Sequence, residues 1–128
     1  MPSPLPIEAV HHISHVTSDL KASSAFYQDV LGFCPIDRPN FKFPGAWLFN
    51  YGVQIHLIAT AEGDGRVGDI SIRTDHIAFH VADTQVVESL LAEHGVEYRK
   101  SQVPGTEIRQ LFFLDPDGNH IEVGSYPQ

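Results

Sequence analysis

Two stretches of this chain repeat one another. His12-Ile13-Ser14-His15-Val16-Thr17-Ser18-Asp19 and His76-Ile77-Ala78-Phe79-His80-Val81-Ala82-Asp83 each place a histidine seven residues before an aspartate, and the two histidines lie 64 residues apart. In a chain of 128 residues, that leaves room for two copies of one supersecondary unit and a connection between them.

Each copy reads the same way. The apolar run with β-branched residues predicts a strand. Asp19 and Asp83 are placed to cap the helix that follows, because a carboxylate accepts the free N–H groups of a first helical turn. Phe26, Tyr27, Val30 and Leu31 form one helical apolar stripe, and Val86, Val87, Leu90 and Leu91 form another. Gly32 and Gly95 are suited to the left-handed conformation that closes a helix. Three strand candidates follow each helix. They lie at about 34–37, 46–50 and 53–59 in the first copy, and at about 97–103, 108–114 and 120–124 in the second. Asn50-Tyr51-Gly52 and Asp115-Pro116-Asp117-Gly118 mark the turns between the last two strands of each copy. The expected fold is therefore α+β, two βαβββ modules in one domain spanning 1–128. Module 1 covers about 8–59, a Gly- and charge-rich linker about 60–73, and module 2 about 74–125.

Bulk properties restrict the function. Hydrophobic residues make up 42% and charged residues 19%, a globular composition that can bury a core without disulfides. The single cysteine, Cys34, forbids an intrachain disulfide and points to a reducing compartment; with no partner to activate it, it is expected to pack as a small hydrophobe. The first ten residues lack the pattern of a signal peptide, and no apolar stretch is long enough to span a membrane. A soluble, cytoplasmic protein is expected. The net charge is −8 and the basic residues are scattered, which argues against nucleic acid as a partner.

The last strand of each copy carries a further polar residue. His56 lies 44 residues after His12, and Glu122 lies 46 after His76. If first and last strands are neighbours, each pair shares a sheet face. If the modules pack about a pseudo-twofold axis, the two pairs make one site. Three imidazoles and a carboxylate suit Zn, Ni, Mn, Co or Fe(II), and not calcium, which prefers oxygen ligands. A strand histidine taken singly is most often a core or surface residue; agreement with the repeat favours the metal reading for these. His11, His15, His94 and His120 fall outside the pattern and read as structural or surface residues. His80 shares the face of His76, and His120 that of Glu122. Asp115 and Asp117 read as turn residues, Tyr27 as core, and Trp47, Phe49, Phe112 and Phe113 as core or pocket wall.

His12-Ile13, Asp19-Leu20, Phe26-Tyr27, Leu31-Gly32-Phe33, Ile55-His56-Leu57, Asp75-His76-Ile77-Ala78 and Asp115-Pro116-Asp117-Gly118-Asn119-His120-Ile121-Glu122 together resemble the vicinal oxygen chelate superfamily. That group spans glyoxalase I, methylmalonyl-CoA epimerase, fosfomycin-resistance thiol transferases, extradiol dioxygenases and bleomycin-resistance proteins. Gly45 to Phe49 and Ile55 to Ile58 look most like its glyoxalase I-like branch. The resemblance implies an open, incomplete β-barrel around a cleft, one divalent metal on His12, His56, His76 and Glu122, and a homodimer, in many members with exchanged modules. It implies a lyase or isomerase on a small substrate with two neighbouring oxygens, glutathione entering as part of the substrate. Glu122 is the matching proton-transfer residue, and His56 a second candidate base. Glyoxalase I itself usually has glutamate at the position of His56. A thiol transferase would use only His12, His76 and Glu122 as ligands, but the basic C-terminal segment of the fosfomycin enzymes has no counterpart here. An extradiol dioxygenase would use the same three around iron. A ligand-sequestering protein without catalysis would lack the ligand set.

Overall fold

The computed structural model describes residues 3–60 and 68–127. Its order is β1 (His12–Thr17), α1 (Leu20–Asp29), β2 (Cys34–Ile36), β3 (Gly45–Asn50), β4 (Val53–Ala59), β5 (His76–His80), α2 (Thr84–Glu93), β6 (Tyr98–Gln102), β7 (Arg109–Leu114) and β8 (His120–Gly124). The strands form two four-stranded mixed sheets, β1-β4-β3-β2 and β5-β8-β7-β6, and neither closes into a barrel. First and last strands of each module pair in parallel, β1 with β4 and β5 with β8. The remaining pairings are antiparallel hairpins. This is the expected double βαβββ arrangement. Among the described residues, no helix is long and apolar enough to cross a membrane. Of the linker, 61–67 lie outside the described residues; Thr60 and 68–73 are in no helix or strand, though Ile70 is buried.

Local chemistry fixes the ends of the helices. The Asp19 carboxylate accepts from Ala22 N, and that of Asp83 from Gln85 N. Caps of this kind contribute about 1 kcal/mol each. Gly32 and Gly95 follow the helices with φ of +81° and +69°, a region that side chains with a Cβ avoid. The β3–β4 turn also serves α1. Tyr51 and Gly52 both have positive φ, the pattern of a tight two-residue hairpin. That turn aims Asn50 Nδ2 at Gly32 O (2.8 Å) and the Tyr51 hydroxyl at Leu31 O (2.6 Å), satisfying two carbonyls just past the helix end.

Alternation sorts the strands. In β1, Ile13, His15 and Thr17 turn inward while His12, Ser14 and Val16 are exposed; in β5, Ile77 and Phe79 are half-buried while His76, Ala78 and His80 are exposed. Tyr27, Phe33, Leu48, Ile55 and Leu57 form the core of module 1. Leu91, Leu111, Phe113, Ile121 and Val123 form that of module 2. Phe26, Leu31 and Phe79 pack against both clusters, so the inward faces are joined through α1 and β5.

Three expectations about packing need correction. Cys34 is exposed, because β2 is a three-residue edge strand whose residues are all exposed. Val86 and Leu90 are also exposed: the apolar contact of α2 with the module 2 core runs through Leu91 and Val87. Phe49 is 45% exposed, which rules out the core and leaves the pocket wall.

Candidate functional site

The parallel pairings decide how the ligand candidates meet. In module 1, His12 lies opposite Gln54 and His56 opposite Ser14. In module 2, His76 lies opposite His120 and Glu122 opposite Ala78. In each sheet the second candidate is therefore two residues beyond the partner of the first, on the same face. The differing sequence spacings, 44 and 46, leave this register unchanged.

The two pairs differ in detail. His76 Nε2 stands 3.1 Å from Glu122 Oε1. The Nδ1 of His76 is 2.8 Å from the carbonyl of Thr74. A carbonyl only accepts, so Nδ1 carries a proton, and in the neutral ring Nε2 is an acceptor like the carboxylate oxygen it faces. Two acceptors held at that distance need a cation or a proton between them. Glu122 is 2% exposed, and its Oε2 is buried with no hydrogen-bond partner among the described residues. Burial raises the Glu122 carboxyl above the usual range, opposed by His76 and Gln110. Phe112, the cross-strand partner of Glu122, meets the edge of the His76 ring at 5.5 Å.

In module 1 the His56 ring is sandwiched. It stacks on Trp47 at 4.2 Å and on His12 at 4.0 Å, nearly parallel to both. Its Nε2 is 2.8 Å from Gln54 Oε1, an acceptor, so the lone pair of His56 is on Nδ1. Burial lowers the His56 pKa, helped by His12, His11 and Arg38, so the ring is neutral at neutral pH and free to donate electrons. His11 and His12 share a 2.8 Å contact between their Nδ1 atoms.

The donors thus assemble as two pairs. Among the described residues, no group of three or more His, Cys, Asp or Glu converges on one point within the chain. The donor chemistry itself fits a divalent transition metal. Thr74 and Gln54 orient the rings of His76 and His56, as partners of metal-bound histidines do, and one Glu122 oxygen lacks a partner among the described residues.

Other histidines fall where the repeat leaves them. His120 Nε2 accepts from Ser71 N at 2.9 Å, and His80 Nδ1 accepts from Tyr126 N at 3.0 Å; both tie loops to the module 2 sheet. The turn acids do more than turn. Asp115 is buried and accepts the Tyr27 hydroxyl, while Asp117 accepts from Ser18 and Ser23. Nothing in the repeat marks Gln54, Thr74 or Gln110, which contact the candidate ligands. Trp47 stacked on His56 was legible in principle, since a two-residue turn at 51–52 fixes the pairing of Trp47 with His56.

A model of the Glyoxalase/Bleomycin resistance protein/Dioxygenase superfamily matches residues 9–123. The chain belongs to that superfamily. It is 40% identical over 126 residues to Glyoxylase I 4 of Arabidopsis thaliana, covering 94% of this chain and 72% of the relative. Among solved structures, the glyoxalase family protein from Enterococcus faecalis superposes with a TM-score of 0.76 at 24% identity, covering 94% of this chain and all of the other. The fosfomycin resistance protein FosX from Listeria monocytogenes gives 0.77 at 21% identity, over 94% and 95%. These two likenesses establish the glyoxalase-type fold, and the plant relative places the chain beside a glyoxalase I homologue.

Proposed function

We propose that this superfamily member is a metal-dependent, glyoxalase I-like lyase or isomerase acting on a small substrate with two neighbouring oxygens, a glutathione adduct being the first to try. The observation that carries the reading is the buried Glu122 carboxylate 3.1 Å from His76 Nε2, with its other oxygen lacking a hydrogen-bond partner among the described residues. The matched pair His12 and His56 supports it, and so does the 40% identity to Glyoxylase I 4.

His12, His56, His76 and Glu122 would hold the ion. When bound, a divalent metal supplies Lewis acidity to the two substrate oxygens. The residues of the chain supply the rest. Glu122, in a largely dehydrated setting, takes the proton beside the carbonyl and returns it to the neighbouring carbon. Phe112 and Trp47 wall the two donor pairs and limit water. His56, neutral and clamped by Trp47, offers Nδ1 as a ligand or as a second base.

We further propose that the working unit is a homodimer in which module 1 of one chain and module 2 of its partner complete each site. The separation of the donors into two pairs within one chain supports this. A single exposed cysteine suits a reducing cytoplasm.

The test is direct. Purified protein is incubated with Zn, Ni, Mn, Co or Fe(II), assayed for bound metal, and given the hemithioacetal of methylglyoxal and glutathione. Stoichiometric metal and isomerisation, both lost in His76→Ala and Glu122→Ala, are expected. Protein that binds none of these metals would refute the reading.

One observation favours a second reading. The His56 ring is held between Trp47 and His12, and its Nε2 is engaged by Gln54. If that clamp keeps His56 Nδ1 off the ion, His12, His76 and Glu122 remain as a three-donor set, the pattern of a thiol transferase. Thiol consumption with an epoxide substrate, and no hemithioacetal turnover, would select it.

A further inference from the structure

Arg38 lies between β2 and β3, outside the repeat that carries the ligand candidates. Its guanidinium carbon sits 4.8 Å from the ring centroid of Phe41 and 5.1 Å from that of Phe43. Its Nη2 donates to the Phe43 carbonyl at 2.9 Å. Its Nε is buried and has no hydrogen-bond partner among the described residues. Gly45 makes room for this arrangement: a Cβ there would stand 2.8 Å from Nη2 and 2.5 Å from Leu57 O. The side chain borders a cavity of about 120 Å³ whose other walls include Phe41, Phe43, Trp47 and His56. At about 30 Å³ per water, that is room for a group of a few heavy atoms.

An arginine that only pinned its loop would be explained by the bond to Phe43. The buried, unpaired Nε–H is not explained by it, and an unpaired buried donor costs free energy. The chain has sixteen acidic residues, yet no carboxylate pairs with Arg38 among the described residues. The rings around the guanidinium lower the local dielectric and strengthen any charge-assisted bond it makes.

We propose that Arg38 is an anion-recognition residue that takes the carboxylate, or a comparable oxyanion, of the substrate in the cavity beside His56. This rests on the proposed function for the position of the reacting oxygens, and names the substrate class as a small anionic oxygenated acid or an adduct ending in one. Phe41 and Phe43 are each more than two-fifths exposed, so solvent reaches the rim of the cavity. Trp47 and His56 connect it to the donor pair. A planar guanidinium fits an oxyanion better than an ammonium does.

Trp47 is the single tryptophan, so its indole N–H gives one side-chain NMR signal at the cavity wall. The full chain is titrated with glycolate and with its neutral counterpart glycolamide, before and after loading with Zn, and bound metal is measured separately. The expected result is a saturable indole shift with glycolate and none with glycolamide. Arg38→Gln should abolish it, and Arg38→Lys should weaken it by about tenfold or more. Both variants should keep a dispersed backbone spectrum and the wild-type metal content. A glycolate shift that persists unchanged in folded Arg38→Gln or Arg38→Lys overturns the proposal. So does an equal response to glycolamide, or the absence of a glycolate shift in protein that binds metal. Glycolate binding that needs Arg38 in a chain that takes up no metal supports the anion site and refutes the metal reading instead.

Discussion

The hydroxyl of Tyr27, on α1, donates to Asp115 Oδ2, in the β7–β8 turn, at 2.7 Å across 88 residues of chain. The same carboxylate accepts from Asn119 Nδ2 and from the backbone N–H groups of Asp117 and Asn119. Burial and the neighbouring Asp115 push the Tyr27 pKa far above its ordinary value, so the phenol acts only as a donor. With the bond from Ser23 to Asp117, it fastens the helix of the first module to the turn that precedes the Glu122 strand.

Tyr27→Phe keeps the ring and removes the donor. It should destabilise the fold by about 1–3 kcal/mol, the cost of leaving a buried acceptor short of a partner. A urea titration should show a lower midpoint with an unchanged slope.

Asp117 makes stability depend on pH. Burial raises its pKa, but hydrogen bonds from Thr17, Ser23 and Ser18 outweigh it, and the folded pKa lies below the ordinary value near 3.8. The folded chain therefore binds this proton less readily than the unfolded one. The contribution to stability is full above the unfolded pKa and disappears as pH falls through the folded value. Wild type should exceed Asp117→Asn in stability at pH 7, with the gap closing on acidification below about pH 4. Equilibrium unfolding at several pH values checks it; a constant gap would contradict this assignment.

His76→Ala should reduce metal affinity by more than the roughly 10–100-fold that loss of a hydrogen-bond partner behind a ligand costs. His120→Ala, one strand across on the same face, should cost far less, because His120 is engaged with Ser71. Competition against a chelator of known affinity distinguishes the two.

Shared sites predict complementation. A chain with His12→Ala and His56→Ala and a chain with His76→Ala and Glu122→Ala should each be inactive alone. Mixed and allowed to exchange, they should form heterodimers with one intact site of two. Random pairing puts half of the dimers in that state, so activity should recover to about a quarter of wild type under dimeric exchange. If the mixture stays inactive while exchange is demonstrated, each site lies within one chain.

Much of this was legible because the repeat constrains strand, cap and helix together. Asp19 and Asp83 had to cap, since each follows a β-branched run and precedes an apolar stripe. The segments 53–59 and 120–124 coincide with β4 and β8 because turn signals bound them. Burial was less legible. Cys34, Val86 and Leu90 are apolar by type, yet exposed, because tertiary packing and not periodicity decides which turn of a stripe meets the sheet. At the site, the spacing gave the shared face of His12 with His56 and of His76 with Glu122. Gln54, Thr74 and Arg38 could not: their roles depend on rotamers and loop paths that carry no period.

His12 and His76 sit on β1 and β5, the outermost strands of their sheets on that side. An outermost strand has one rim of backbone N–H and C=O groups that its own sheet leaves unbonded, a template for unwanted pairing. His12 and His76 therefore stand on two of the four outermost strands, where a sheet is open to unwanted pairing. Bringing a β1 rim beside a β5 rim would shield both at the moment it assembled the donors. Solubility and competence would then rise together with protein concentration, and a chain kept too dilute to find its counterpart would lose both.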